Sequence, residues 1–420
     1  MALVTLLLLD PFKITTATDA ASADILNRIL AMYYPNDSQE EVVVVFIDDD
    51  YLSKNNLTWP LSYKEQSKLI RKILSYQPKG LFIDLLYTHD RSSNNDSSRP
   101  LENVFEGYGK RFPIYVPRVD GSAFSENDLF GNTVPVAVQW FGHDTFYPAS
   151  VNNVSTPAFA LYEQYCEQSD SCSPLQNTPP IAIQWGMNLS TSQYSLTNND
   201  GCLINQNAAL MSLKVLLSEV FWKLLPEWRQ PCAYSTTLPP DYLETTSTEG
   251  RALLSSLIKD NFVMVGALIQ GARDQVYSPI HGNIAGVYLH AMALDNLLTY
   301  HNRYFRPAPN VWRNIDLADI TDCLLFLLVF MWREKVTTHS IAGLPLNHTN
   351  KRFIALSAAS LVAFVGTTVF FFSFVMNFQP INWVAQITLI LTILAVKIRL
   401  FTPLKTLSSK LKGYTKEKNK

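Results

Sequence analysis

The chain has little cysteine: five residues in 420, with no Cys-x-x-Cys pair among them. Zinc ribbons and thioredoxin-like sites need that spacing, so neither is expected. Histidine is nearly as sparse, and His89, His143, His281 and His290 are scattered without the His-Glu-x-x-His spacing that sets two metal ligands on one helix face. The phosphate-binding loops G-x-x-x-x-G-K-S/T and G-x-G-x-x-G do not occur, and neither does the G-x-S-x-G nucleophile turn. These absences lead to an expectation of no enzyme, no cofactor and no metal. A Lys/Arg stripe is also missing from the front of the chain, and nucleic acid is excluded as a partner because phosphate neutralisation needs clustered positive charge.

What is present is unevenly spread. A net charge of −2 conceals 13 Lys+Arg against 5 Asp+Glu from residue 313 onward, and 21 against 31 before it. Three late stretches are apolar over about the 17 to 25 residues that cross a hydrocarbon core: Ile315 to Trp332, Phe353 to Met376, and Ile381 to Val396. Asp316, Asp319 and Asp322 open the first of them, and only Asp322 lies at all deep. Arg333, Lys335, Lys351 and Arg352 fall in the loop after the first stretch. Eight further Lys and Arg, from Lys397 to Lys420, fall in the tail at 397–420. The positive-inside rule makes both segments cytoplasmic and places residues 10–312 outside. Residues 1–9 are apolar but too short to span, and they read as the end of a first membrane helix that Asp10 and Pro11 terminate. The expected setting is therefore the lipid bilayer of a bacterial cytoplasmic membrane, crossed several times. Ala359, Ala363 and Thr367 recur every four residues, a ridge that serves either homo-oligomer formation or packing among the three spans.

The outer region alternates strand-like and helix-like runs, the pattern of an α/β domain with a mostly parallel sheet and helices on both faces. Glu41 to Ile47 reads E-V-V-V-V-F-I, suited to a strand covered on both sides. Residues 63–76 set Leu69, Ile70, Ile73 and Leu74 at helical spacing, and Leu81 to Asp84 forms the next strand, which makes one βαβ unit. Further strands are expected at Pro113 to Pro117, Val134 to Gln139, Ile181 to Trp185 and Phe262 to Val265, with a helix over Val287 to Tyr300. Arg91 to Arg99 and Ser190 to Asn207 read as surface loops. Four cysteines, Cys166, Cys172, Cys202 and Cys232, lie in this region; outside the cytosol they are disulfide candidates, and pairing of 166 with 172 and 202 with 232 is one of three connectivities. Reduced buried thiols are the alternative.

Asp48, Asp49 and Asp50 follow the first strand and Asp84 ends the second, where open α/β sheets bind ligands beyond the strand carboxyl ends. The same acids could instead cap helices and hold turns. The residues Val45-Phe46-Ile47-Asp48, Trp59-Pro60, Phe82-Ile83-Asp84 and Val265-Gly266-Ala267, followed by Asp274, Pro279, Gly286-Val287 and His290-Ala291, resemble the second type of CHASE domain, a sensory extracellular domain associated with cyclases and histidine kinases. The resemblance spans roughly residues 10–312. It implies an extracytoplasmic sensor preceded by one membrane helix and commonly followed by three more before an intracellular output domain. Only 24 residues follow Val396, too few for such an output domain, so a separate cytoplasmic partner is expected. Where family members continue Trp-Pro with an aromatic residue and an arginine, this chain has Leu61 and Ser62. The ligand-binding candidates are Asp48, Asp49, Asp84, Asp274 and His290, and the expected ligand is a small molecule or an envelope signal. A structural or assembly role in the envelope is the alternative.

Overall fold

A computed structural model describes residues 14–398, apart from 88–90, 94–95, 119–130, 141–145, 168–171, 173–177, 197–201, 203–206, 221–229, 231, 271–273, 314 and 339–347. Residues 1–9, the tail from 399, His89 and His143 lie outside the described residues. The chain divides into an α/β unit, Ile25–Pro307, and a helical unit of Met1–Asp24 with Ala308–Lys420.

In chain order the first unit contains part of α1 (Ile14–Leu30), then β1 (Val42–Asp48), α2 (Asp49–Lys54), α3 (Tyr63–Ser75), β2 (Gly80–Ile83), α4 (Arg99–Tyr108), β3 (Ile114–Pro117) and β4 (Val134–Val136). It continues with β5 (Ser150–Val151), β6 (Val154–Ser155), α5 (Pro157–Glu167), α6 (Gln193–Leu196), α7 (Ala208–Val220), β7 (Thr236–Leu238), α8 (Thr248–Ile258), β8 (Phe262–Leu268), β9 (Gln275–Ser278), β10 (Gly282–Ala285) and α9 (Gly286–Tyr300). Six strands form a wholly parallel sheet in the order β4-β3-β2-β8-β1-β7. Alternate residues serve opposite layers, as the two-residue period of a strand requires. Val42, Val44, Phe82, Phe262 and Met264 pack with α5 and α9, while Val43, Val45, Ile47, Leu81, Ile83, Val263 and Val265 pack with α3, α4 and α8.

Local chemistry sets the element ends. Ser62 is the N-cap of α3, and its Oγ accepts from Glu65 N at 3.2 Å. Asp96 adds a second acceptor there, taking Tyr63 N at 3.0 Å. The strand expected at Ile181 to Trp185 is absent. Ile181 makes only a bridge to Tyr147, and the following backbone is satisfied by Phe305 O, the Asn296 side chain and Asn27 Oδ1 instead of a neighbouring strand. The expected Val134 to Gln139 strand stops at Val136 because Ala137 N turns to Ser155 O in β6. Cys166 is joined to Cys172, and Cys202 to Cys232.

The helical unit holds β11 (Asn310–Trp312), β12 (Ile315–Asp316), α10 (Leu317–Thr338), α11 (His348–Phe370) and α12 (Trp383–Ile398). Val329, Ala358, Val365, Ile390 and Ile393 are buried where these helices meet. Among the described residues one helix, Arg352–Val375, is long and apolar enough to cross a membrane, and Trp383–Ala395 is a shorter apolar helix. The stretch expected as the first span begins in β12 and continues into α10, with Asp319 and Asp322 in the opening turns of the helix, and α10 runs on beyond it through Arg333, Glu334 and Lys335. Ala359, Ala363 and Thr367 are exposed, so the inner face of α11 is formed by Ile354, Ala358, Val365 and Val369 and not by the small-residue ridge.

A polar node ties α1 to the starts of α10 and α12. The Asp322 carboxylate accepts from Asn382 N at 3.1 Å and from Gln386 Nε2 at 2.6 Å. Asn382 caps α12 through Ala385 N and donates from Nδ2 to Thr18 Oγ1 at 2.7 Å, while Trp383 Nε1 donates to Ser22 O at 3.1 Å.

Candidate functional site

The carboxyl ends of β1, β8 and β2 carry the acids. Asp48, the last residue of β1, is paired in register with Leu268 of β8, and its carboxylate accepts from Tyr51 N at 2.8 Å as the N-cap of α2. Asp49 Oδ2 accepts from Gln270 N at 2.9 Å and pins the loop that leaves β8. Both side chains therefore have the helix-capping and turn-holding roles that the residue types favour.

Asp84 differs. It follows β2, and its backbone N–H donates to Val265 O at 2.8 Å, which seats it against the middle of β8. Burial first, and then the negative charge of Asp274, push its carboxyl well above the usual carboxylate range. Asp274, exposed before β9, meets the start of α9: its carbonyl accepts Gly286 N at 3.2 Å. A Cβ on Gly286 would stand 2.5 Å from Asp274 Oδ1, so the missing side chain is what admits the carboxylate to the positive end of the helix dipole. Gly266 serves a related purpose one layer below, since a Cβ there would lie 2.4 Å from the Val287 Cβ. The two glycines let α9 descend onto β8, and that descent brings Asp274 to Asp84.

His290 lies one turn into α9 and is buried. Its Nδ1 is 2.8 Å from Tyr147 Oη, which also accepts from Ala158 N at 3.1 Å. This arrangement is satisfied when the phenol donates to Nδ1 and the imidazole carries its proton on Nε2. Phe82, Trp140 and Tyr147 surround the ring edge-on at centroid distances of 5.2, 6.1 and 5.5 Å. His290 thus belongs to a buried cluster of aromatic side chains. Of the five ligand-binding candidates, Asp84 and Asp274 interact electrostatically, Asp48 and Asp49 accept backbone N–H bonds, and His290 is buried against Tyr147.

Tyr147 and Trp140 lie in a stretch without strand or helix periodicity and carry no sequence signal of this role. A second buried acid, Asp295, carries none either. Tyr34 Oη donates to Asp295 Oδ1 at 2.6 Å and accepts from Asn296 Nδ2 at 2.9 Å, while Asn296 Oδ1 accepts from Gln184 N at 2.9 Å. Burial raises the Asp295 carboxyl to about 7 despite the hydrogen bonds from Tyr34 and Thr299. No group of His, Cys, Asp and Glu suited to a metal ion occurs among the described residues.

The acid pair has a measurable consequence. An Asp whose carboxyl is held above its unfolded value keeps its proton longer in the folded state, so folding loses stability as pH rises through that window. Asp84→Asn is expected to raise the thermal midpoint at pH 7 and to leave it unchanged near pH 3, below the ordinary carboxylate range. A midpoint lowered at pH 7 would mean that the ionised carboxylate holds the fold there.

A family model described as the CHASE2 domain matches residues 1–332. No curated protein and no solved structure matches the chain.

Proposed function

The chain belongs to the CHASE2 domain family, a family of sensory extracellular domains, and from that premise we propose that it is a multi-pass receptor of the bacterial cytoplasmic membrane. Its α/β unit lies outside and binds a small molecule or envelope signal at the carboxyl edge of the sheet; α10, α11 and α12 cross the bilayer and pass the signal to a separate cytoplasmic partner. It acts by binding and not by catalysis. The observation that carries the membrane half is the outward apolar face of the helical unit. Leu324, Leu327 and Met331 on α10, Leu356, Phe364 and Phe370 on α11, and Leu391 on α12 all stand exposed. Water penalises such a surface and lipid does not.

At the ligand edge, Asp84 and Asp274 offer hydrogen-bond acceptors, which suits a ligand bearing N–H or O–H donors. Binding such a ligand shifts α9 relative to β8 only if it favours one placement over the other. The exposed ridge Ala359, Ala363 and Thr367 supports a homo-oligomer within the membrane. A second reading, an envelope assembly protein whose outer domain docks another protein, draws on α7, where Leu210, Leu213, Leu216 and Leu217 are exposed.

Cysteine labelling tests the topology. With an impermeant maleimide, Ser256→Cys is expected to label in intact spheroplasts, whereas Lys410→Cys labels only after permeabilisation. Labelling of both residues from one side would remove the receptor reading.

A further inference from the structure

We propose that the β11–β12 hairpin is a membrane-contacting wedge that seats Trp312 and Arg313 among the headgroups of anionic phospholipid in the outer leaflet. The inference rests on the membrane reading above and goes beyond it by assigning a lipid-binding surface outside the spans. Asn310, Val311 and Trp312 are all exposed, Val311 at 57% and Trp312 at 63%. The hairpin holds them in place: Asn310 pairs with Asp316 and Trp312 with Ile315, with a register shift between the two pairs, and Arg313 follows at φ 50°. Leu317 N donates to Pro309 O at 3.1 Å, which fastens the base of the hairpin to the first turn of α10.

The residue chemistry fits the boundary between lipid and water. An indole combines a large apolar body with one N–H donor, and such side chains concentrate at the headgroup level. The Arg313 guanidinium stands 5.2 Å from the Trp312 ring centroid, which places a cation able to pair with phosphate oxygens beside the indole. Level is set by the polar node. The Asp322 to Asn382 hydrogen bonds align the start of α10 with the start of α12, so Trp312 and Trp383 belong to the same end of the helical unit, opposite Trp332. The hairpin runs directly along the chain into α10, whose exposed apolar residues begin at Leu324, and that connection decides for lipid over a second protein as the occupant.

The test uses the full chain in nanodiscs of phosphatidylcholine, with and without phosphatidylglycerol, whose acyl chains carry bromine either near the headgroup or deep in the core. The emission of Trp312, taken as the difference between the parent chain and Trp312→Phe, is expected to be lost to shallow bromine and kept with deep bromine. A bromine-sensitive fluorophore on Val311→Cys repeats the measurement with the indole in place. Arg313→Gln is expected to erase the difference between the two lipid compositions. If Trp312 and Val311 stay bright while the emission assigned to Trp332 is quenched, the wedge is overturned and the membrane reading stands. If none is quenched, both fall. Protection of Trp312 that vanishes when the protein is diluted in lipid would assign the surface to a second copy and would also overturn the proposal.

Discussion

Asp295→Asn is expected to stabilise the outer domain at pH 8 by up to about 4 kcal/mol and to leave its stability at pH 4 almost unchanged. The carboxyl titrates near its ordinary value in the unfolded chain and at about 7 in the folded one. Near pH 4 the unfolded chain has released roughly half of this proton while the folded state keeps it, and the penalty is only about 0.5 kcal/mol. As pH rises toward 7 the unfolded state releases the proton and the folded state retains it, so folding loses about 1.4 kcal/mol per pH unit. Above 7 the penalty is complete and constant. The amide of the variant still accepts from Tyr34, which leaves the hydrogen-bond network intact while removing the titration. Chemical denaturation of the full chain in nanodiscs, followed by a probe in α9 from pH 4 to pH 8, reads the difference. A variant with the parent's pH slope would show that another group sets it. If the slope does belong to Asp295, the outer domain is tighter in acid than in base, and the contact that tightens joins α9 to the segment leaving α1.

Asp322→Ala is expected to weaken the docking of α12 by about 2–3 kcal/mol, because the buried Asn382 N–H and Gln386 amide lose their acceptor. Single interhelical hydrogen bonds in membranes average only about 0.6 kcal/mol, so the larger figure depends on one carboxyl group serving two buried donors. Asp322→Asn, which keeps one carbonyl oxygen for these donors, is expected to lose less than half as much. Cross-linking of a cysteine pair placed at Val329 and Ile390, both buried in the helical unit, reads the docking directly. Equal cross-linking in the parent and in Asp322→Ala would reduce the node to a bystander. Since Asn382 also holds Thr18, the alanine variant should free the start of α1 as well, visible as faster exchange at Ser22.

Strands were more legible than helices in this sequence. The runs at 42–47 and Phe262–Leu268 are apolar throughout because both faces of a central parallel strand are covered, and such runs need no partner to be recognised. Helix α3 was equally plain, since one side faces water and its apolar residues fall at helical spacing. Helix α5 was not: Ala158, Phe159, Ala160, Leu161 and Tyr162 are all buried between β2, β3 and α9, so no polar face marks a period. The alternating run at Ile181 to Trp185 misled for the opposite reason. Alternation reports burial on one side, and there the backbone partners are loop and side-chain groups instead of a strand.

From the residues alone came the acid-tipped strands, the apolar late stretches, the basic end and the resemblance to a sensory domain, all of which depend on local composition or short spacing. The pairing of Asp84 with Asp274, of Tyr147 with His290, of Tyr34 with Asp295 and of Asp322 with Asn382 came only from the tertiary structure. Each joins residues at least 60 positions apart. A late strand, β8, inserts between β1 and β2, and two glycines let α9 settle upon it; hydrophobic patterning says that a segment is buried, whereas the order of strands in a sheet decides which side chains share the space.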